Sequence, residues 1–83
     1  MRTILLIEDD TDLRLIFSLL LRFQGFTVTS AVSIAEGIQK LNSHPDFVIC
    51  SVNRDELDLI ESMVKLAKTH YHIPHFILFS SFV

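Results

Sequence analysis

The sequence predicts a single α/β domain built on a parallel sheet. Four short apolar runs have the length of strands, and the stretches between them place apolar residues at helical spacing. The resulting β-α-β-α-β-α-β order indicates parallel strands, right-handed crossovers and helices on the faces of the sheet. The 83 residues suffice for one small domain, so we expect residues 1–83 to form one unit.

The first predicted strand is Ile4-Leu5-Leu6-Ile7, a continuous apolar run typical of a strand that is buried on both faces. Asp10 or Thr11 can cap the helix that follows, and Gly25 can end it in the left-handed conformation of a C-terminal cap. Apolar residues recur at helical spacing along this helix: Leu13, Ile16, Phe17, Leu20 and Phe23. Further leucines lie elsewhere around it, so the helix is apolar on more than one face.

Local patterns also predict the next two strands and the helix between them. Phe26-Thr27-Val28-Thr29 alternates apolar and polar residues, as an edge strand does. Ser33 and Glu36 have the spacing of a capping box, which predicts the start of the second helix. The apolar run Phe47-Val48-Ile49-Cys50 predicts a second buried strand, and the polar stretch 51–56 predicts a loop.

A third helix and a fourth strand complete the pattern. The apolar residues at helical spacing in this helix are Ile60, Met63, Val64, Ala67 and Tyr71. Pro74 ends the helical segment, because proline cannot continue the hydrogen-bonding pattern of a helix. The apolar run Phe76-Ile77-Leu78-Phe79 then predicts the fourth strand.

Composition and charge argue against several classes of function. The formal net charge is −3 and the basic residues form no run, so we expect no direct contact with nucleic acid. No apolar stretch approaches the ~20 residues of a membrane span, and the N-terminus lacks the pattern of a signal peptide. The single cysteine, Cys50, cannot form an internal disulfide, so we expect a reducing, cytoplasmic location.

Polar residues follow the predicted strands at the edge of the sheet where open parallel sheets bind their ligands. Glu8-Asp9-Asp10 follows the first strand, residues 51–55 follow the third, and Ser80-Ser81 follows the fourth. Carboxylates clustered at this edge suit a hard divalent cation such as Mg²⁺. The alternative is that the three acids only open a helix, where negative charge is favourable against the helix dipole.

Several segments, in the same order along the chain, resemble the receiver domains of bacterial two-component response regulators. These segments are Ile4-Leu5-Leu6-Ile7-Glu8-Asp9-Asp10-Thr11-Asp12-Leu13-Arg14, Asp46-Phe47-Val48-Ile49-Cys50-Ser51, Asp58-Leu59-Ile60-Glu61, and Ile73-Pro74 with Phe76 to Ser80. The resemblance covers the whole chain and implies a flavodoxin-like (CheY-like) sheet, whose strand order in the family is 2-1-3-4-5. Because the sequence stops at Val83, we expect the order 2-1-3-4, without the fifth β-α unit of a full receiver.

The resemblance also implies roles for individual residues. The family's magnesium-binding acid pair corresponds to Glu8 and Asp9, and its backbone metal ligand corresponds to Asn53. Ser51 stands where the family has its phosphate-accepting aspartate, at the end of the third strand. The switch threonine or serine at the end of the fourth strand corresponds to Phe79 by direct counting, or to Ser80 if the strand contains a one-residue bulge.

These departures from the family pattern predict a degenerate receiver. Receiver phosphorylation needs a carboxylate nucleophile, bound Mg²⁺ and positive charge near the transferring group. The Ser51 hydroxyl is neutral, and the family's catalytic lysine is missing from the sequence. We therefore expect a non-enzymatic module of a two-component or phosphorelay protein that acts by protein–protein interaction. It requires no cofactor, and we expect Mg²⁺ binding at Glu8 and Asp9 to be weak.

Two other functions compete with this interpretation. The chain is an active phosphorelay receiver if another carboxylate, such as Asp55, accepts the phosphoryl group. Alternatively, it is a small flavodoxin-like domain that binds a nucleotide or catalyses a reaction. This last hypothesis is weakened because Gly25 and Gly37 are isolated and form no phosphate-binding loop.

Without a fifth strand, the fourth strand becomes an edge of the sheet. An apolar edge strand tends to associate unless it is paired or covered. We therefore expect the domain to dock onto a protein partner or onto itself, most simply as a homodimer. The predicted interaction surface consists of Phe76, Leu78, Phe82 and Val83.

Overall fold

The computed structural model describes residues 2–80 and confirms the predicted alternation of strands and helices. The strands are β1 (Thr3–Ile7), β2 (Thr27–Ala31), β3 (Phe47–Ser51) and β4 (His75–Phe79). The helices are α1 (Thr11–Phe23), α2 (Ile34–Lys40) and α3 (Leu57–Thr69), and short 3-10 turns cover Leu41–Ser43 and Arg54–Glu56. Within residues 2–80, no helix is long and apolar enough to cross a membrane.

The four strands form one parallel sheet in the order β2-β1-β3-β4, as expected. β1 lies inside the sheet between β2 and β3, which explains why its sequence is a continuous apolar run.

Some predicted boundaries were wrong. β2 runs from Thr27 to Ala31 and not from Phe26 to Thr29, and α3 ends at Thr69, before Tyr71. Ser51 belongs to β3 and pairs with Phe79 instead of opening the loop. The ladder extends this far because the Val52 N–H donates to the carbonyl oxygen of Phe79 at 2.7 Å.

The helix ends follow the predicted capping chemistry. The Asp10 carboxylate caps α1 by accepting a hydrogen bond from the Leu13 N–H at 3.0 Å. The Ser33 hydroxyl caps α2 by accepting from the Glu36 N–H at 3.1 Å. Gly25 follows α1 with a φ of +98°, a conformation that strains any residue with a side chain, and the chain turns there into β2.

The two faces of the sheet are covered unequally. The helices α2 and α3 cover one face, where the buried core consists of Leu5, Ile7, Ala31, Ile34, Leu41, Val48, Cys50, Ile60, Met63, Ala67 and Ile73. Alternate strand residues point to the opposite face. On that face α1 packs over β1 and β2, which leaves an apolar groove between α1 and the β3–β4 side of the sheet.

α1 turns a strongly apolar side towards solvent. Ser18 is the buried residue of this helix, while Leu13 and Phe17 are half-buried. Large apolar residues expose between 50% and 88% of their surface on the outer side: Leu15, Ile16, Leu19, Leu20 and Phe23. The prediction that this helix is apolar on more than one face agrees with the structure.

Candidate functional site

The carboxyl ends of β1 and β3 bring two predicted site residues together. Glu8 directly follows β1, and its N–H donates to the Ala31 carbonyl oxygen of β2 at 3.0 Å. Ser51 ends β3, and its hydroxyl lies 3.5 Å from the carbonyl oxygen of Ile7, to which it donates. The same hydroxyl is near enough to the Glu8 carboxyl group to lower the pKa of that group. The parallel register of β1 and β3 therefore places the Ser51 hydroxyl beside a carboxylate.

Glu8 is unusually buried for an acidic residue, with only 2% of its surface exposed. Its Oε2 accepts a hydrogen bond from the Asp10 N–H at 3.0 Å. Among residues 2–80, its Oε1 finds no hydrogen-bond partner. The guanidinium of Arg14 donates to the Glu8 carbonyl oxygen at 2.8 Å, so this contact satisfies the backbone and not the carboxylate.

Burial raises the pKa of the Glu8 carboxyl group above its ordinary value of 4.5, because the charged form loses solvation. The Asp10 N–H opposes this shift, the neighbouring Asp9 carboxyl raises the pKa further, and the Ser51 hydroxyl lowers it. A cation at this point would offset the cost of burying the charge. The burial and the unpaired Oε1 of Glu8 are thus compatible with holding a hard metal ion.

A small pocket of about 80 Å³ opens beside Ser51 at the same edge of the sheet. It is lined by Ile7, Asp9, Val32, Ser33, Ile34, Ser51, Asn53 and Glu56. Asp9 and Ser51 therefore share this pocket, while the buried Glu8 lies near Ser51. The structure thus brings Glu8, Asp9 and Ser51 into one neighbourhood.

The loop after β3 supplies a carboxylate that the sequence analysis missed. Glu56 lines the pocket, and its Oε1 accepts a hydrogen bond from the Asn53 side-chain amide at 2.9 Å. Asp55, the predicted alternative acceptor, is exposed and is not among the residues that line the pocket. The spacing Asn53-x-x-Glu56 was the available signal, because the 3-10 turn Arg54–Glu56 brings positions three residues apart onto one side.

Of the two predicted switch positions, Phe79 pairs in register with Ser51 on the neighbouring strand. Its ring packs edge to face against Phe17 of α1, with ring centroids 5.8 Å apart. Ser80 follows β4 and is exposed. Phe79 thus offers an apolar ring to α1, whereas Ser80 carries the hydroxyl that the resemblance requires, and the choice between them stays a prediction.

The predicted interaction surface on β4 is only partly exposed. Leu78 exposes 46% of its surface, while Phe76 is half-buried and packs against the core under α3. The prediction treated the two residues alike. Both pair with fully buried residues of β3, but Phe76 packs against the core cluster and Leu78 is more exposed. Phe82 and Val83 lie outside the described residues.

In the part of the chain that the structure describes, no three His, Cys, Asp or Glu side chains are grouped to hold a metal ion. Mg²⁺ often uses only one or two carboxylates and keeps several waters. The assignment of Glu8 and Asp9 as metal ligands stays a prediction, and Ser51 contributes no negative charge to this pair.

Solved structures share this fold. The receiver domain of the hybrid histidine kinase CckA superposes with a TM-score of 0.73 at 18% identity, covering 98% of this chain and 86% of that one. The response regulator TrrA from Thermotoga maritima, solved in complex with Mg²⁺-BeF, gives 0.74 at 20% identity, covering 98% and 89%. The N-terminal domain of an uncharacterized protein from Wolinella succinogenes gives 0.78 at 28% identity, covering 100% and 67%.

Curated relatives point to the same family. A CpxR homolog from Haemophilus influenzae, a transcriptional regulatory protein, is 35% identical over 68 residues, which are 82% of this chain and 30% of the relative. The transcriptional regulatory protein GlrR from Escherichia coli is 34% identical over 76 residues, or 90% and 17%. The chain belongs to the response-regulator receiver family. No protein-family model matches it, and it spans less than a third of the length of these relatives.

Membership in the receiver family accounts for the sheet order and for the acids after β1. It leaves the individual site assignments as predictions, because the curated relatives are larger transcriptional regulators and this chain has a serine at the end of β3.

Proposed function

We propose that this receiver-family domain works in two-component signalling through protein contacts that do not depend on phosphorylation at the end of β3. The observation that carries the proposal is the environment of Ser51. This serine ends β3, and its neutral hydroxyl stands at the position where the family resemblance implies an aspartate.

The chemistry of aspartyl phosphorylation supports this proposal. A serine hydroxyl is a poor nucleophile unless an adjacent base takes its proton. The hydrogen bond of the Ser51 hydroxyl runs to the carbonyl oxygen of Ile7, so its proton is not directed at the nearby Glu8 carboxylate. Within residues 2–80, the pocket beside Ser51 has no lysine or arginine in its lining, so positive charge for a transferring phosphoryl group is lacking there.

The same proposal includes weak Mg²⁺ binding at Glu8 and Asp9. Glu8 has one unpaired carboxylate oxygen and Asp9 lines the pocket, so two oxygen ligands are close to each other. Replacing an aspartate by Ser51 removes one anionic ligand, which lowers the attraction for a divalent cation. A bound Mg²⁺ would neutralise the buried charge of Glu8 and hold phosphate oxygens.

Non-enzymatic action and a cytoplasmic location also form part of the proposal. The relatives are transcriptional regulatory proteins, and Cys50 is a free, buried thiol, as suits a reducing compartment. With a net charge of −3 and no basic run, this segment is proposed to contact protein and not nucleic acid.

The test is to incubate the purified protein with Mg²⁺ and a small acyl-phosphate donor and to record its intact mass. We expect no acyl-phosphate adduct, which hydroxylamine would cleave, under conditions that phosphorylate an ordinary receiver in a parallel sample. If an adduct forms, the variants Asp55→Asn, Asp9→Asn and Ser51→Ala identify the acceptor. An adduct that disappears in Asp55→Asn would overturn the proposal in favour of an alternative phosphorelay receiver.

A further inference from the structure

The strand β2 lies at one edge of the sheet, and within residues 2–80 it pairs with β1 alone. Two of its residues mark the side that bonds to β1: the Thr27 N–H donates in that direction and the Ala31 carbonyl oxygen accepts from it, each at 3.0 Å. Alternate residues of a strand bond to the same neighbour in a parallel ladder. The backbone groups of Val28 and Ser30 therefore point outward, away from β1.

Both outward carbonyl oxygens of β2 accept hydrogen bonds from cationic side chains. The Arg22 guanidinium, in the last turn of α1, donates to the Val28 carbonyl oxygen at 3.4 Å. The Lys40 ammonium, at the end of α2, donates to the Ser30 carbonyl oxygen at 2.7 Å. Since α1 and α2 lie on opposite faces of the sheet, the two side chains close over this edge from both sides.

The position of Lys40 is supported by a second contact. Its ammonium lies 3.0 Å from Oε1 of Glu36, one turn earlier on α2. Arg22 and Lys40 also stand in the last turns of their helices, where the helix dipole favours positive charge. A hydrogen bond from a charged donor is stronger than the one that a neutral strand N–H offers to the same carbonyl oxygen. A strand from another chain would have to displace both cations before it could pair with β2.

The sequence of β2 shows why such protection has to come from outside the strand. Thr27–Ala31 reads Thr-Val-Thr-Ser-Ala, so it contains neither a charged residue nor a proline. Charges and prolines within an edge strand are the usual means by which proteins prevent pairing with other chains. Threonine and valine favour extended structure. The strand alone is thus a suitable template for pairing, and the flanking helices supply the charges that it lacks.

We propose that Arg22 and Lys40 close the β2 edge against strand addition by another chain, whether a different protein or a second copy of this one. The inference goes beyond the proposed function and is independent of the chemistry at Ser51. It excludes strand addition at β2 from the protein contacts through which the domain works.

Binding of a strand-forming peptide tests the inference. The probe is a fluorescently labelled synthetic peptide with the sequence of residues 26–32, and its anisotropy is recorded against protein concentration. The Arg22→Met/Lys40→Met double variant keeps the length of both side chains and removes their donors. We expect this variant to bind the peptide roughly tenfold more tightly than the wild type, because two carbonyl oxygens become free to accept strand hydrogen bonds.

The matched control is the Lys65→Met/Lys68→Met double variant. It makes a similar change in charge and apolarity at two exposed positions of α3, away from the β2 edge. We expect it to bind the peptide no better than the wild type, and circular dichroism checks that both double variants are folded. Equal gains in the two double variants, or no gain in Arg22→Met/Lys40→Met, would overturn the proposal.

Amide hydrogen exchange locates the pairing and includes a measurement on the wild type. The N–H groups of Val28 and Ser30 are the donors that an added strand would engage on the outer edge. We expect the peptide to slow the exchange of these two amides in the Arg22→Met/Lys40→Met variant and to leave them unchanged in the wild type. Peptide-dependent protection of Val28 and Ser30 in the wild type would show an open edge and would contradict the proposal, whatever the variant does.

Discussion

The ring of Phe17 on α1 meets the ring of Phe79 on β4 edge to face, with centroids 5.8 Å apart. Phe79 also pairs in register with Ser51, the residue at the predicted acceptor position. One aromatic contact thus joins the helix that carries the exposed apolar surface to the end of the edge strand. It also gives the apolar groove one of its walls.

Phe79→Ala is expected to lower the free energy of unfolding by about 1–2 kcal/mol, because a half-buried ring is lost. In a double-mutant cycle with Phe17→Ala, the two rings should show a coupling of roughly 0.5–1.5 kcal/mol. Urea denaturation of the four proteins measures both values, at a concentration where all are monomeric. If the losses in free energy of unfolding of the two single variants simply add in the double variant, the ring contact contributes nothing.

Gly37→Ala is expected to destabilise the protein, although alanine normally stabilises a helix by ~1 kcal/mol relative to glycine. A Cβ at Gly37 would fall on the Ile7 side chain of β1, closest to its Cδ1. Overpacking of this kind costs about 1–3 kcal/mol. Ile7→Val removes that methyl group, so adding it to Gly37→Ala should recover part of the loss. Thermal melts of the single and double variants provide the check.

Glu8→Gln is expected to raise the melting temperature at neutral pH in the absence of divalent cations. The pKa of Glu8 is raised by burial, so the ionised form is disfavoured in the folded state. As the pH falls through the pKa of Glu8 in the folded state, the carboxylate is protonated and the wild type regains stability. The difference in melting temperature between wild type and variant should therefore vanish by pH 4.5, the ordinary pKa of this carboxyl group. The control is Glu61→Gln, which changes an exposed carboxylate. A difference that does not vary with pH would contradict this explanation.

The Cys50 thiol should be unreactive in the folded protein. Burial raises its pKa from 9.0 to about 12, with smaller contributions from the negative charges of Glu56 and Glu8. As the pH rises, the thiol of the unfolded chain ionises at a lower pH than the buried thiol of the folded protein. The free energy of unfolding should therefore fall by about 1.4 kcal/mol for each pH unit between these two pKa values. Denaturation from pH 8 to 11, compared with Cys50→Ala, measures that slope. A wild type that is alkylated rapidly at pH 8 without unfolding would contradict the burial of this thiol.

Much of the fold could be predicted from the sequence because the relevant signals are local. The apolar run of β1, the Asp10 and Ser33 caps and the proline before β4 each act within a few residues. The packing side of α1 could not be predicted in this way. Helical periodicity shows that apolar residues share a side, but only the position of the sheet decides that Ser18 is buried and Leu19 exposed.

The candidate site was predicted in part for a similar reason. Glu8, Asp9 and Ser51 were recognised because they follow or end predicted strands, and parallel strands end at the same edge of the sheet. Glu56 was missed because a 3-10 turn, and not a strand, brings it into the pocket. The burial of Glu8 also depends on its surroundings in the fold, which a run of three acids does not reveal.

The most direct test of the central claim is sedimentation of the wild type before and after exposure to Mg²⁺ and a small acyl-phosphate donor. The claim is that this receiver-family domain makes its protein contacts without phosphorylation. We therefore predict the same sedimentation coefficient at each protein concentration in both conditions. A donor-dependent change in association, accompanied by a base-labile adduct in the intact mass, would contradict it and restore a phosphorylation switch.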